Sequence, residues 1–205
     1  MESKHVIHLY GSHNTSTYSE FYLEYRESTL ENYLKEGKFS ISRIKKIFNQ
    51  LNEAFKLMIK NKIIHRNINT SNILIKSLND ENIIVKLSGF SKSIFLDKIN
   101  LLHSNSPYDA PEIIKNNLAN LKSDLWSIGI VLYELLFQNN KPTFNSLNEI
   151  SKNINDKDLS DLINQLLKKD PNERINWEEY FSHPFFNDNN NNNYDNFPFK
   201  RSQSM

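Results

Sequence analysis

The pattern of apolar and polar residues predicts a chain rich in α-helices. The clearest signal is an amphipathic helix over residues 40–60, in which apolar side chains recur at helical spacing and Ser40 is the predicted N-terminal cap. Residues 123–137 are apolar on nearly every side, which is typical of a helix buried at the centre of a domain. The apolar positions of the first helix are Ile41, Ile44, Ile47, Phe48, Leu51, Ala54, Phe55 and Met58. Shorter helices are predicted over residues 146–153, 159–168 and 177–181.

Two β-hairpins are predicted from short runs of β-branched and aromatic residues. The first joins residues 6–10 to residues 20–25 through the turn-forming stretch GSHNTSTYS. The second joins residues 73–75 to residues 83–87 through LNDEN. A two-stranded hairpin is only marginally stable by itself.

Composition and charge exclude several classes of site. The 205 residues include no cysteine, which excludes disulfides, thiolate metal sites and cysteine nucleophiles. Lysine and arginine number 25 against 24 aspartates and glutamates, so no net field recruits nucleic acid or an anionic membrane. The longest apolar run, residues 125–133, is far shorter than the ~20 residues of a membrane-spanning helix. We therefore expect a soluble intracellular protein, cytoplasmic or nuclear, with neither a nucleic-acid nor a membrane partner.

Several short motifs follow one another in a recognisable order. They are HRNINTSN at 65–72, VKLSGFSK at 85–92, YDAPE at 108–112, SDLWSIG at 123–129, DPNERI at 170–175 and HPFF at 183–186. Together they resemble the C-terminal lobe of protein kinases, and the Ser/Thr branch fits better than the Tyr branch. Upstream, HVIHLYGS and FYLEYRESTLENYL resemble the fourth and fifth strands, the hinge and the first helix of that lobe.

The resemblance covers about residues 5–186 and implies an α+β, protein kinase-like fold. A mainly helical C-lobe with two short β-hairpins is then expected over residues 27–186. Residues 1–26 are expected to be a remnant of the N-lobe, with Glu24, Tyr25 and Arg26 as the hinge, and most of that lobe is absent. The asparagine-rich residues 187–205 have too few apolar side chains to offset the entropy of ordering, so we expect a disordered tail.

The resemblance also implies that the catalytic charges are missing. The family's proton-accepting aspartate is matched by Asn67 and its phosphate-neutralising lysine by Asn69, and neither amide carries charge at neutral pH. Gly89 stands where the family has a metal-binding aspartate, and the four glycines of the chain form no GxGxxG loop over a nucleotide. The family uses ATP and magnesium, but we expect no cofactor and no metal site here.

Residues of the structural framework are retained. His65, Arg66, Asn72 and Phe90 match the family's motif positions, although Asn72 as one neutral amide makes a poor magnesium site and is expected to shape the loop by hydrogen bonding. His65 and Phe90 match two members of a hydrophobic stack, with Leu9 as a further candidate. The resemblance implies a buried ion pair of Glu112 with Arg174, backbone N–H bonds to Asp124, and Trp126 within the motif of the buried helix.

Lost charges beside a retained framework favour an inactive kinase homologue, a pseudokinase, that binds or scaffolds a protein partner. A competing hypothesis is a kinase with atypical, weak phosphotransfer, in which Asn67 holds the substrate while Asn72 and the nucleotide phosphates hold the metal. A third is a gene fragment without a selected function. Regulation by phosphorylation at Ser104 or Ser106 stays open, with Arg66 matching the family's phosphate-receiving arginine.

Overall fold

The structure is a computed structural model that describes residues 3–37, 39–77, 82–98, 104–137 and 154–187. Within these ranges the helices are α1 (Leu30–Glu36), α2 (Ile41–Lys60), α3 (Pro111–Asn116), α4 (Leu121–Phe137), α5 (Lys157–Leu166) and α6 (Trp177–Phe181). The strands are β1 (Leu9–Asn14), β2 (Ser19–Leu23), β3 (Ser28–Thr29), β4 (Ile63–Ile64), β5 (Ile73–Ser77), β6 (Ile83–Leu87) and β7 (Ile94–Phe95). This mixture of helices with short antiparallel strands confirms the predicted α+β class.

Helix α2 forms where the apolar spacing predicts it. The Ser40 side chain accepts a hydrogen bond from the Arg43 N–H at 3.2 Å, which satisfies one of the free donors at the helix start. Seven of its eight predicted apolar positions are fully buried, and only Ile41 is partly exposed. The Gln50 side chain also joins α2 to β6, donating to the Ile83 carbonyl at 2.8 Å and accepting the Val85 N–H at 2.9 Å.

Helix α4 is buried on nearly all sides, as its continuous apolar pattern predicts. It begins two residues before the predicted start because the Asn120 side chain accepts the Lys122 N–H at 2.7 Å and so begins the helix earlier. Gly129 allows the close approach of the segment after α5, since a β-carbon there would lie 2.7 Å from Leu167 Cδ2. Helix α4 therefore lies at the centre of the packing and contacts the segment after α5 closely.

Two other helices are found at or near their predicted positions. Helix α5 begins and ends two residues earlier than predicted, because Asp156 caps it by accepting the Leu159 N–H at 2.8 Å. Helix α6 matches its prediction and carries a reciprocal capping box between Asn176 and Glu179. The helix predicted over residues 146–153 lies outside the described residues.

The first hairpin exists, but its predicted bounds are wrong. Strands β1 and β2 pair antiparallel from Leu9 opposite Leu23 to Asn14 opposite Ser19, so most of the expected turn is strand. The turn is shorter because the Thr15 N–H donates to the Tyr18 carbonyl at 2.8 Å and Thr15 Oγ1 accepts the Tyr18 N–H at 3.0 Å.

Residues 5–7, which contain the start of the strand expected in the first hairpin, lie instead beside β6. The Ile7 N–H donates to the Leu87 carbonyl, and the Leu87 N–H donates to the His5 carbonyl, each at 2.9 Å. His5 is buried there, with Nδ1 2.8 Å from the Val85 carbonyl oxygen. This short parallel bridge attaches the start of the chain to the second hairpin.

The second hairpin is confirmed and belongs to a sheet of order β3-β5-β6. A separate pairing, which the sequence did not predict, joins β4 to β7 through Ile63 opposite Phe95 and Ile64 opposite Ile94. These pairings position the site, because they bring the loop after β4 beside the segment after β6. No helix in the described ranges is both long and apolar enough to cross a membrane. The expected tail beyond residue 187 lies outside those ranges.

Candidate functional site

The loop of residues 65–72 is held at its start by one buried carboxylate. Asp124, in the first turn of α4, accepts the His65 N–H at 2.7 Å and the Arg66 N–H at 2.8 Å. Arg66 has a φ of +61°, in the left-handed region that non-glycine residues seldom adopt. The two hydrogen bonds hold this conformation, as expected where surrounding structure over-determines a strained residue. Burial raises the pKa of Asp124 to about 6, although the two N–H bonds and the charge of Arg66 oppose that rise.

The His65 side chain joins the loop to the segment after β6. Its Nε2 donates to the Ser88 carbonyl at 3.0 Å and its Nδ1 accepts the Asn67 N–H at 3.3 Å, an arrangement that requires the neutral ring. Burial lowers the pKa of His65 to about 4, partly opposed by the bond to Ser88. The His65 and Phe90 rings also meet edge to face, with centroids 4.6 Å apart. Both predicted stack members thus touch, whereas Leu9 on β1 is 48% exposed.

Three asparagines of the loop bond to one another and to Gly89. Asn67 Nδ2 donates to the Gly89 carbonyl at 3.3 Å, and Asn72 Nδ2 donates to the Asn67 carbonyl at 2.8 Å. Asn69 donates through Nδ2 to the Asn67 carbonyl at 3.1 Å and accepts the Asn72 N–H through Oδ1 at 3.0 Å. The network contains neutral groups only, so it holds the loop in shape without placing charge in it.

Gly89 has a φ of +82°, which favours glycine. The Asn72 amide lies against it so closely that an added β-carbon would be 2.5 Å from Asn72 Nδ2 and 2.6 Å from Oδ1. Real β-carbons do not approach other heavy atoms so closely. Any side chain at position 89 would therefore require the Asn72 amide to move.

Arg66 and Ser106 make local contacts of different kinds. The Arg66 guanidinium donates through Nε to the Lys92 carbonyl, and Ser93 Oγ donates to the His65 carbonyl at 3.2 Å. The Ser106 N–H donates to Asp109 Oδ2 at 2.7 Å, while the Asp109 N–H donates to the Ser106 carbonyl at 3.0 Å. Ser106 thus lies in a reciprocal turn immediately before α3, whereas Ser104 is at the edge of a described range.

A buried cluster of Thr70, Tyr108 and Glu134 was missed by the sequence reasoning. The Tyr108 hydroxyl donates to Glu134 Oε2 at 2.7 Å and lies 2.9 Å from Thr70 Oγ1. Burial raises the pKa of the Tyr108 hydroxyl, and the adjacent Glu134 contributes to that rise. Glu134 gave a usable signal, because an acidic residue inside an otherwise apolar helix needs a bonded partner.

Glu112 and Arg174 form a bidentate ion pair that ties α3 to the segment before α6. Arg174 donates to the two Glu112 oxygens at 2.8 and 2.9 Å, and it also reaches the Lys122 and Lys168 carbonyls. The Trp126 ring lies beneath the guanidinium, 5.2 Å from ring centroid to Cζ. Burial alone would raise the pKa of Glu112, but the hydrogen bonds and charge of Arg174 lower it overall.

The expected hinge residues have different surroundings. Glu24 Oε1 accepts Lys86 Nζ at 2.6 Å and the His8 N–H at 2.9 Å, while Glu24 Oε2 accepts Arg26 at 2.7 Å. Glu24 therefore connects the first hairpin to β6 through charge and hydrogen bonding. Tyr25 is 83% exposed. In the part of the chain that the structure describes, no group of three or more His, Cys, Asp or Glu side chains could hold a metal ion.

Comparison with known proteins adds an independent observation. Residues 1–186 match the protein kinase domain family. The chain is 36% identical over 160 residues to the serine/threonine-protein kinase atg1 of Dictyostelium discoideum, covering 71% of this chain and 24% of that protein. It is 32% identical over 171 residues to ATG1b of Arabidopsis thaliana, covering 75% and 24%, and 26% identical over 171 residues to human ULK3, covering 76% and 36%. The chain thus spans well under two thirds of these relatives' length.

Removal of the Arg174 side chain should strongly destabilise the fold. Arg174→Met leaves the Glu112 carboxylate in its site without its partner, so we expect the free energy of unfolding to fall by about 3–5 kcal/mol in urea denaturation. Removing both charges with Arg174→Met and Glu112→Leu should cost less than Arg174→Met alone. Equal or greater loss in the double variant would show that the guanidinium acts mainly through the carbonyls of Lys122 and Lys168.

The neutral ring of His65 should make stability depend on pH. The unfolded chain takes up a proton near pH 6.5, whereas the folded chain resists it until about pH 4. Because this pKa is lowered by folding, the stabilisation is complete above pH 6.5 and is lost as the pH falls towards 4. At about 1.4 kcal/mol per pH unit, we expect a loss of about 3 kcal/mol over this range.

A His65→Gln variant is the control for this measurement, because glutamine does not titrate. Asp124, with its pKa raised to about 6, binds a proton more readily in the fold and changes stability in the opposite direction. Since Asp124 is common to both proteins, the stability difference between them reports on His65. Urea denaturation at pH 7 and pH 4 should show that difference shrinking at the lower pH. An unchanged difference would contradict the assignment.

Proposed function

This chain belongs to the protein kinase family, its kinase-like fold is confirmed, and from that premise we propose that it is an inactive, Ser/Thr-type kinase homologue that acts by binding a protein. The observation that carries the proposal is the neutral network of Asn67, Asn69 and Asn72 against Gly89. It lies in a loop whose first two backbone N–H groups are held by Asp124. The framework of the loop is therefore present without the charges that phosphoryl transfer needs.

The chemistry of the reaction supports this inference. Phosphoryl transfer relies on positioning and on neutralising the developing charge, so each lost charge removes part of the catalysis directly. The amide of Asn67 cannot accept a hydroxyl proton at neutral pH, and Gly89 offers no side-chain ligand to a metal. The curated relatives are named serine/threonine-protein kinases. We do not assign their activity to this chain, because it lacks the charged residues on which that activity depends.

The β1–β2 ribbon is the surface that supports a protein partner. Its exposed apolar side chains are Leu9, Tyr10, Phe21, Tyr22 and Leu23. Among the described residues, neither outer edge of this ribbon is paired with another strand. Apolar ribbons with free edges bind other protein chains or aggregate. The positive and negative charges of this chain nearly balance, so it has no comparable attraction for nucleic acid. We place this activity inside the cell, in the cytoplasm or nucleus, in accord with the absence of cysteine.

The chain should neither transfer phosphate nor bind magnesium nucleotide. We expect no radiolabel incorporation from ATP and no thermal shift at millimolar Mg-ATP, for the wild type and for Asn67→Asp with Gly89→Asp. The two substitutions restore carboxylates, but the 205 residues contain no GxGxxG loop to hold the phosphates. A magnesium-dependent shift or autophosphorylation in either protein would favour the atypical kinase, with Asn72 and the nucleotide phosphates holding the metal.

The exposed apolar side of the ribbon should be measurable in the isolated chain. Phe21→Ser with Leu23→Ser should reduce binding of a hydrophobic dye by at least about half, while the free energy of unfolding changes by less than about 0.5 kcal/mol per site. Leu118→Ser is a matched control, because Leu118 is similarly exposed but lies after α3. Light scattering should show self-association that the ribbon variant reduces. A stable monomer without dye binding would remove the basis for a partner at this surface.

A further inference from the structure

We propose that the side chain of Asn72 fills the space that a metal-binding aspartate would need at position 89, so that the site is closed to such a side chain and also lacks its charge. This inference deepens the proposed loss of phosphotransfer and rests on it. Loss of ligands and closure of space are different physical effects, because a carboxylate can replace a lost ligand but cannot enter filled space. The two effects therefore predict different behaviour when position 89 is changed.

Asn72 leaves no room for a side chain at position 89. A β-carbon at position 89 would lie within 2.6 Å of both Asn72 Nδ2 and Oδ1, far closer than van der Waals contact. The Asn72 amide thus occupies the volume into which the first atom of an aspartate side chain would project. Gly89 is the residue that admits it, because only glycine leaves this space empty.

The Asn72 amide is held in this place by one bond of its own, since its Nδ2 donates to the Asn67 carbonyl at 2.8 Å. The Asn72 backbone is held separately: its N–H donates to Asn69 Oδ1 at 3.0 Å, and the N–H and Oγ of Ser88 both donate to its carbonyl at 2.9 Å. Rotating the amide away from Gly89 would therefore break the bond to the Asn67 carbonyl, while the backbone bonds fix the point from which the side chain extends.

Asn67 joins the loop to the segment after β6 only because its side chain is an amide. Its Nδ2 donates to the Gly89 carbonyl at 3.3 Å, whereas an aspartate carboxylate at position 67 would bring acceptor oxygens to the same carbonyl. The neutral residue at 67 and the missing side chain at 89 therefore belong to one arrangement. A carboxylate at position 67 would lose the bond to the Gly89 carbonyl, and one at position 89 would displace the Asn72 amide.

Magnesium does not fit the residues present. The ion requires near-octahedral oxygen coordination and is usually held by carboxylates and phosphates. Positions 67, 69, 72 and 89 offer no carboxylate, and the Asn72 amide, held through Nδ2, presents one neutral oxygen. All four of these residues lie within the described ranges.

A double-mutant cycle separates closure from ligand loss. Gly89→Ala places a β-carbon against Asn72 and also strains the backbone at positive φ, whereas in an Asn72→Ala background only the backbone strain remains. We expect Gly89→Ala to raise the unfolding equilibrium constant by about tenfold more in the wild-type background than in the Asn72→Ala background. Urea denaturation of the four proteins gives the comparison. Equal effects of Gly89→Ala in both backgrounds would overturn the proposal.

The control is Gly11→Ala, because no atom lies within 4 Å of a β-carbon at Gly11 and its cost should be the same in both backgrounds. If Gly89→Ala fails to fold while Gly89→Ala with Asn72→Ala folds, closure is supported. If both fail while Asn72→Ala alone folds, removing the amide does not relieve position 89 and the proposal is wrong.

A measurement on the folded protein keeps closure separate from inactivity. Mn²⁺ alone, at millimolar concentration, should leave the amide resonances of residues 67–72 and 88–90 without selective broadening, both in the wild type and in Gly89→Asp. Selective broadening in Gly89→Asp would overturn closure, even if neither protein transferred phosphate. Phosphotransfer by the wild type would instead overturn the proposed function while leaving the result of the mutant cycle to decide closure.

Discussion

The hydrogen bonds from the backbone of His65 and Arg66 to the Asp124 carboxylate are the constraint on which the rest of the site depends. They hold Arg66 in a left-handed conformation and attach the loop to the most buried helix of the described fold. From this fixed start, His65 reaches Ser88 and Phe90, and the loop meets the segment after β6. A buried carboxylate is costly unless it is hydrogen-bonded, and these two N–H groups supply such bonds.

The framework residues and the positions expected to act on substrate differ in charge. Framework contacts include the Asp124 carboxylate on two N–H groups and the bidentate Glu112–Arg174 pair. The positions expected to act on substrate carry neutral groups, and Asn67 joins the loop to the segment after β6 through the Gly89 carbonyl. Charges poised for catalysis usually cost stability, because they are partly desolvated and satisfied only when substrate or metal arrives. On the proposed inactivity, the neutral Asn67 and Gly89 relieve that cost, and Gly89 leaves room for the Asn72 amide.

Sequence reasoning was most successful where one local signal dominates. The apolar spacing and cap of α2 and the capping box of α6 depend on neighbours within one turn, so their positions could be predicted closely. The first hairpin was misplaced because Thr15 closes a shorter turn and residues 5–7 pair with distant Leu87. The pairing of β4 with β7 was missed for the same reason, since two-residue strands have no periodic pattern. The cluster of Tyr108, Thr70 and Glu134 joins three separate segments, so the sequence could indicate that Glu134 needs a partner but not which residues supply it.

By itself, the sequence determined the family resemblance, the helical core and the absence of charge at positions 67, 69 and 89, because residue identity and local spacing suffice for these. Only the tertiary structure decided that the three asparagines bond to one another and that Asn72 occupies the space beside Gly89. That space lies between a loop and a segment that are separated along the chain and meet through β4–β7 and β5–β6 pairing. Whether it is empty or filled depends on side-chain packing, which sequence spacing does not specify.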